Sequence, residues 1–348
     1  MKQRGFLRAV ALLLAGCCLL LAGCTSRIIQ EDRLQDNLPV LDPEDGVARD
    51  ISVVLYYRLT GEAYLVPVTR NISVRANERT ETAMIRTLLE GVPQQSLSGN
   101  VSATFPEGTS LVDVSRDSGI LYVTLSREFL DTSNVEAVRQ ATSSYGNTPE
   151  GQQRAQQAIE LATEEMYLMR RMGVYSLVNT LCEYSREQVR VQILVDVDGS
   201  GEGERLPLEE MGLDPWEKGS NLIEPMEYEA DAVVTPERIV SCMLSRMISG
   251  EYEMAYVLFM EAPVAGVTKP TYANFESEIL GLGNVTGFEI LSSQEQKDGS
   301  YSVWVNLDFR TAAGEQCRIQ DAQITLRKEG DLYKIGYGSF KSILEGAA

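Results

Sequence analysis

Two runs of strict alternation constrain the fold of this chain more than any other feature. Val189, Val191, Ile193, Val195 and Val197 fall at every second position, and so do Tyr301, Val303, Val305, Leu307 and Phe309. Residues two apart share one face of a strand, so each run describes a sheet with one side on a core. A helical stripe accompanies each run. Ala155, Ile159, Ala162, Met166 and Met169 recur at helix spacing before the first, with Leu161 and Leu168 widening the stripe. Ile239, Val240, Met243 and Met247 do the same before the second. Helices and strands grouped in this way predict an α+β chain. The stretch 200–230 is rich in Gly, Pro and Glu with little periodicity, and reads as a linker between residues 50–199 and 231–348.

In the first domain, Ile51, Val53, Leu55 and Tyr57 predict a strand, with Ala63 to Val68 pairing back onto it. A helix follows from about residue 79 to Glu90, with Ala83, Met84, Leu88 and Leu89 as its core stripe and Gly91 and Pro93 as its stop. Arg116-Asp-Ser-Gly between two apolar runs predicts a hairpin. A polar loop from Thr142 to Gly151 leads into the long helix, and the expected arrangement is a sheet with two helices on one face. The second domain opens at Thr235-Pro236, an N-cap with Pro in the first turn, and Ser249-Gly250 ends that helix. Tyr252 to Met260 predict a second helix, and Tyr272, Phe275 and Ile279 a third. The strand of Tyr301 to Phe309 and a closing hairpin around Gly330-Asp331 complete it, giving helices first and an antiparallel sheet after.

The N-terminus carries an address. Lys2, Arg4 and Arg8 precede an uncharged run from Ala9 to Leu21 that is shorter than the ~20 residues a spanning helix needs. Leu21-Ala22-Gly23-Cys24 resembles the lipobox of bacterial lipoproteins. That resemblance implies cleavage between Gly23 and Cys24, and a diacylglycerol thioether with palmitate-type chains on the Cys24 sulfur. Residues 1–23 are then a signal peptide. Residues 24–49, with Pro39, Pro43 and no apolar period, are a flexible tether. The expected location is the outer face of the bacterial cell membrane.

The charge balance agrees with a lipid anchor rather than a basic patch. The net charge is −19, and losing Lys2, Arg4 and Arg8 with the leader makes it −22. Such a chain repels nucleic acid and anionic lipid alike. His is absent, which removes Ser-His-Asp and Cys-His catalysis and zinc sites built on HExxH. No carboxylate pair is marked out by an apolar setting, so an enzyme is not expected, nor a cofactor. After Cys24 only Cys182, Cys242 and Cys317 remain. They read as buried thiols, with a Cys242–Cys317 pair left open.

Several segments resemble the GerMN domain of sporulation and spore-germination proteins and other envelope lipoproteins. They are Thr82-Ala-Met-Ile-Arg-Thr-Leu-Leu-Glu-Gly-Val-Pro, Phe105-Pro-Glu-Gly-Thr-Ser-Leu, Leu125-Ser-Arg-Glu-Phe, Ser176-Leu-Val-Asn-Thr-Leu and Val191-Gln-Ile-Leu-Val-Asp-Val-Asp-Gly, in the family's order. The resemblance implies a non-catalytic module. The insert around Ser143 to Gln157 departs from the pattern. The second domain resembles the nuclear-transport-factor-two-like superfamily, whose cone encloses a pocket that Tyr252, Tyr256, Tyr272 and Trp304 could line. Core packing is the commoner role for aromatics at these spacings. Asp196, Asp198, Ser200 and Glu202 fit the first positions of a calcium loop, but Pro207 stands where the bidentate Glu belongs, and a plain turn is the stronger reading.

Two functions follow from these readings. One is a tethered module presenting surfaces to envelope proteins, the cell wall or a second copy of itself. The other is a small-ligand receptor using the cone pocket. Replacing Cys24 by Ala is expected to move the protein from the membrane to the soluble fraction with both domains folded. Persistence in the membrane fraction after signal cleavage would assign anchoring to another surface.

Overall fold

The computed structural model describes residues 49–92, 100–146, 148–185, 189–213, 220–264 and 266–346. Asp50–Val74 and Glu78–Ala348 belong to one compact unit, and the elements below lie in it. Strand β1 (Arg49–Leu59) lies between β2 (Leu65–Val74) and β3 (Val101–Ser102). The expected alternation is present, since Val53, Leu55 and Tyr57 are buried. Tyr56 and Arg58 are buried as well, so the strand is covered on both sides. Helix α1 (Thr80–Leu89) buries Ala83, Met84, Ile85 and Leu88, close to the expected stripe.

A second sheet has the order β4-β5-β6-β7, from β4 (Leu111–Asp117), β5 (Ile120–Ser126), β6 (Arg190–Asp196) and β7 (Glu204–Arg205). Strands β4 and β5 form the expected hairpin, with Ser118 and Gly119 both at positive φ (49° and 80°). Two consecutive positive φ values match the right-handed twist of paired strands. Strands β5 and β6 are parallel from Ile120↔Arg190 to Ser126↔Asp196. A parallel pair needs a crossover, and here it is α2 (Ser133–Thr142) followed by α3 (Pro149–Tyr184). The sequence reading did not anticipate α2.

Helix α3 changes character along its 36 residues. Its C-terminal half buries Met172, Val174, Leu177, Val178 and Leu181. There Ser176 Oγ donates to the Tyr56 carbonyl, and the Tyr56 N–H donates to Thr180 Oγ1 at 3.1 Å. Its N-terminal half is largely exposed. Leu161, expected to widen the core stripe, is instead 66% exposed. It sits about 120° around the helix from the centre of that stripe, so it projects away from the sheet. Arg170 marks the change. It is buried, and its guanidinium donates to Leu130 O (2.7 Å) and pairs with Glu210.

Residues read as a linker pack on the first lobe. Leu206, Leu208, Met211 and Ile223 are buried, Val191 bridges to Met226, and Gln192 Nε2 donates to Ile223 O at 3.2 Å. This cover explains why β6 buries Gln192 along with its apolar residues.

The second lobe follows the expected order. Helix α4 (Pro236–Ser249) starts at Thr235, whose Oγ1 accepts from Arg238 N, and ends at Gly250 with φ 79°. Helices α5 (Tyr252–Tyr256) and α6 (Tyr272–Leu282) precede an antiparallel sheet of β8 (Gly283–Glu295), β9 (Tyr301–Thr311), β10 (Gln316–Glu329) and β11 (Leu332–Ile335), and α7 (Tyr337–Glu345) closes the lobe. Helix α5 is shorter than the expected span to Met260, and β8 and α7 are additions to the sequence reading. Phe259 contacts Phe275, Tyr337 and Phe340 with ring centroids 5.2–6.0 Å apart, so aromatic rings fill the space between helices and sheet.

One buried guanidinium joins the lobes. Arg246 donates to Glu62 Oε1 at 2.7 Å, to Met254 O at 2.6 Å and to Thr60 O. The Val234 N–H donates to Leu65 O at 2.9 Å beside it. Removing one partner of a buried ion pair strands the other polar groups. Arg246→Ala is therefore expected to lower stability in urea unfolding by about 3–5 kcal/mol. A loss below about 1 kcal/mol would show that the lobes are held together chiefly by apolar contact.

Candidate interaction site

The sequence-expected sites are dispersed. Gly23 and Cys24 lie outside the described residues. No helix among the described residues is long and apolar enough to cross a membrane. In the Asp-rich turn, Asp196 Oδ1 accepts from Gly199 N (2.8 Å) and its Oδ2 from Gly201 N (2.9 Å). Asp198 Oδ1 accepts from Ser200 N, and Ser200 Oγ accepts from Glu202 N. The bonds to Ser200, side chain first, hold the Asp198 carboxyl below its usual range. These are the bonds of a chain reversal, with the carboxylates turned on backbone N–H groups. Among the described residues, no group of three or more acidic or thiol side chains converges on a metal position.

The four aromatics proposed for a pocket are not brought together. Tyr256 and Tyr272 meet edge to face at 5.6 Å, and the Tyr256 hydroxyl donates to Pro270 O at 2.7 Å. The Lys269 ammonium, paired with Glu261, lies 3.7 Å above the Tyr256 ring. Burial pushes the Lys269 pKa down. Tyr252 donates to Asn284 Oδ1. Trp304 alternates with the buried Val303 and Val305, so it lies on the opposite face of β9. Cys182 and Cys242 are free thiols, and burial pushes Cys242 up to about 12 and Cys182 up to about 11. Both are therefore neutral and weakly nucleophilic near neutral pH.

A concave surface of the first lobe lies where α2 turns into α3. Hydroxyls of Thr142, Ser143 and Ser144 bond back to carbonyls one turn earlier and bring α2 to its end. Thr148 then caps α3, its Oγ1 accepting from Gly151 N at 3.1 Å, with Pro149 in the first turn. Glycine is needed at 151, because a Cβ there would collide with the Tyr145 carbonyl. The close approach leaves a groove of about 620 Å³ lined by Tyr145, Gly151, Arg154, Gln157, Ala158 and Leu161. Tyr145 is 50% exposed. Arg154 makes no hydrogen bond or ion pair among the described residues. The sequence signal for this site was available in the GerMN-interrupting insert and in the off-stripe angle of Leu161. Neither says that the two would meet.

The architecture is thus an α+β first lobe with a helical arm, joined to a helix-then-sheet second lobe. Residues 54–199, less than half of the chain, match the Germane family, described as sporulation and spore germination. This agrees with the GerMN resemblance carried by Thr82–Pro93, Ser176–Leu181 and Val191–Gly199. Similar solved structures include the tandem GerMN domains of the sporulation protein GerM from Bacillus subtilis. That match has 16% identity over 45% of this chain and 43% of that one, with a TM-score of 0.27. A chain described as a lipoprotein from Clostridium perfringens matches at 16% identity over 45% of this chain and 80% of that one, with a TM-score of 0.18. This chain spans less than half of the GerM structure it matches. No curated protein matches it.

Gly151→Ala is expected to push the Tyr145 turn off α3. Hydrogen exchange should then accelerate at least tenfold in residues 142–156 while β5 and β6 stay protected. Unchanged exchange across the arm would mean that the turn is not held by this approach.

Proposed function

We propose that this chain is an exported, lipid-tethered and non-catalytic interaction module of a sporulation or germination apparatus. The observation that carries this reading is the Germane match over residues 54–199 in a chain that begins with a basic leader and Leu21-Ala22-Gly23-Cys24. Cys24 holds the lipid, residues 24–49 give reach, and the two lobes face the envelope. The second lobe is read as a nuclear-transport-factor-two-like module, a reading that rests on its helix-then-sheet order. The lack of His removes the commonest general bases, and the buried thiols lack activation. The receptor alternative is less favoured, because Phe259, Phe275 and Phe340 fill the interior a ligand would need. Docking then falls to the surface, with the arm groove as its centre.

The test is genetic and biochemical together. Loss of the gene in its source bacterium is expected to lower heat-resistant spore yield or germination by at least tenfold, and Cys24→Ala should reproduce the defect. Normal spores and germination in the deletion strain would end the sporulation reading.

A further inference from the structure

The arm groove brings an exposed tyrosine, an arginine and the exposed Leu161 onto one surface. Tyr and Arg are the residue types enriched in binding hot spots, and Leu161 adds exposed apolar area beside them. Gly151, Arg154, Ala158 and Leu161 are spaced three, four and three apart, which sets them in one stripe along α3. That is the spacing of a helix–helix seam, and Ala158 is small enough to let a second helix approach closely, while the Gly151 end of the stripe is covered by the Tyr145 turn. Among the described residues Arg154 has no acidic partner.

We propose that the occupant of this groove is the same stripe of a second copy of the chain, antiparallel, with the twofold axis passing between Gln157 and Ala158. Residues equidistant from the axis then face one another, as in any isologous contact. Arg154 of one copy meets Leu161 of the other, with its guanidinium between Glu160 and Glu164 of that copy. The Glu160 carboxylate is already oriented by Gln156 Nε2 at 2.7 Å. Leu161 enters the opposite groove beside Tyr145. Each charge is matched twice by symmetry. A parallel arrangement would instead set Glu160, Glu164 and Glu165 against themselves and leave both arginines unmatched. The seam is short, and anchoring both copies to one membrane supplies the effective concentration that a small contact needs. This inference rests on the arm being the docking surface.

The test uses the full chain in its membrane. Gln157→Cys lies at the axis, where two Cβ atoms can come within the ~4 Å a disulfide requires. Copper–phenanthroline oxidation is expected to give a covalent dimer with Gln157→Cys and not with the native cysteines alone. Adding Leu161→Asp or Arg154→Glu should cut the dimer at least tenfold. Combining Arg154→Glu with Glu160→Arg and Glu164→Arg should restore it. No dimer from Gln157→Cys, or a dimer indifferent to Leu161→Asp, overturns the proposal. If Leu161→Asp then still lowers spore yield, the arm docks a different protein and the broader reading survives. If it does not, the arm is not a docking surface, and the deletion strain decides the sporulation reading separately.

Discussion

The backbone of Tyr56 is satisfied by two helix hydroxyls, and much of the first lobe follows from that contact. Strand β3 pairs only with Arg58 and Leu59, so β1 has an open edge at Tyr56. Ser176 and Thr180 close it. An unpaired backbone group buried at this depth would cost about 1–3 kcal/mol, so the helix is fixed in register as well as in place. With residues 170–181 of α3 held against β1 and Glu165 paired with Arg58, the turns before residue 165 form the exposed arm. The exposed arm is therefore the consequence of a buried anchor. Arg170 stands at the boundary and ties it to Leu130 and Glu210.

The same logic of covered edges joins the lobes. Strand β2 presents Leu65 O to Val234, Thr69 N to Asp331 Oδ1 and a proline at 67 that has no N–H to offer. Strand β11 is flanked by Leu258 and Met260, which exchange bonds with Ile335. Edges closed in this way resist strand addition. Arg246 adds a charged contact at the turn after β1, where Gly61 takes φ 74°, a conformation that favours glycine. The arm lies apart from these closed edges and carries the exposed Tyr145 and Leu161 beside Arg154.

Much of this was readable before any coordinates, and the reasons differ by element. Strands β6 and β9 and helix α4 declared themselves because period, cap and stop all agree, as at Thr235, Pro236 and Gly250. Strand β8 was silent because Thr286 and Leu291 are extra residues opposite β9, and each such bulge resets the two-residue period. The 200–230 segment looked like a linker because its buried residues Leu206, Leu208 and Ile223 follow the shape of the sheet rather than any period. Among the candidate sites, Asp196 and Asp198 accept from backbone N–H groups of their own turn, while Trp304 lies on the face of β9 away from the buried Val303 and Val305.

The sequence by itself determined the α+β class, the two alternating strands with their helices, the absence of histidine chemistry and the resemblance to GerMN domains. These are properties of local period and residue type, which need no knowledge of neighbours. Only the tertiary structure decided that β5 and β6 run parallel and that Arg246 joins the lobes. It also decided that Tyr145, Arg154 and Leu161 share one groove. Each of these depends on which distant segments meet, and chain order carries no direct record of that.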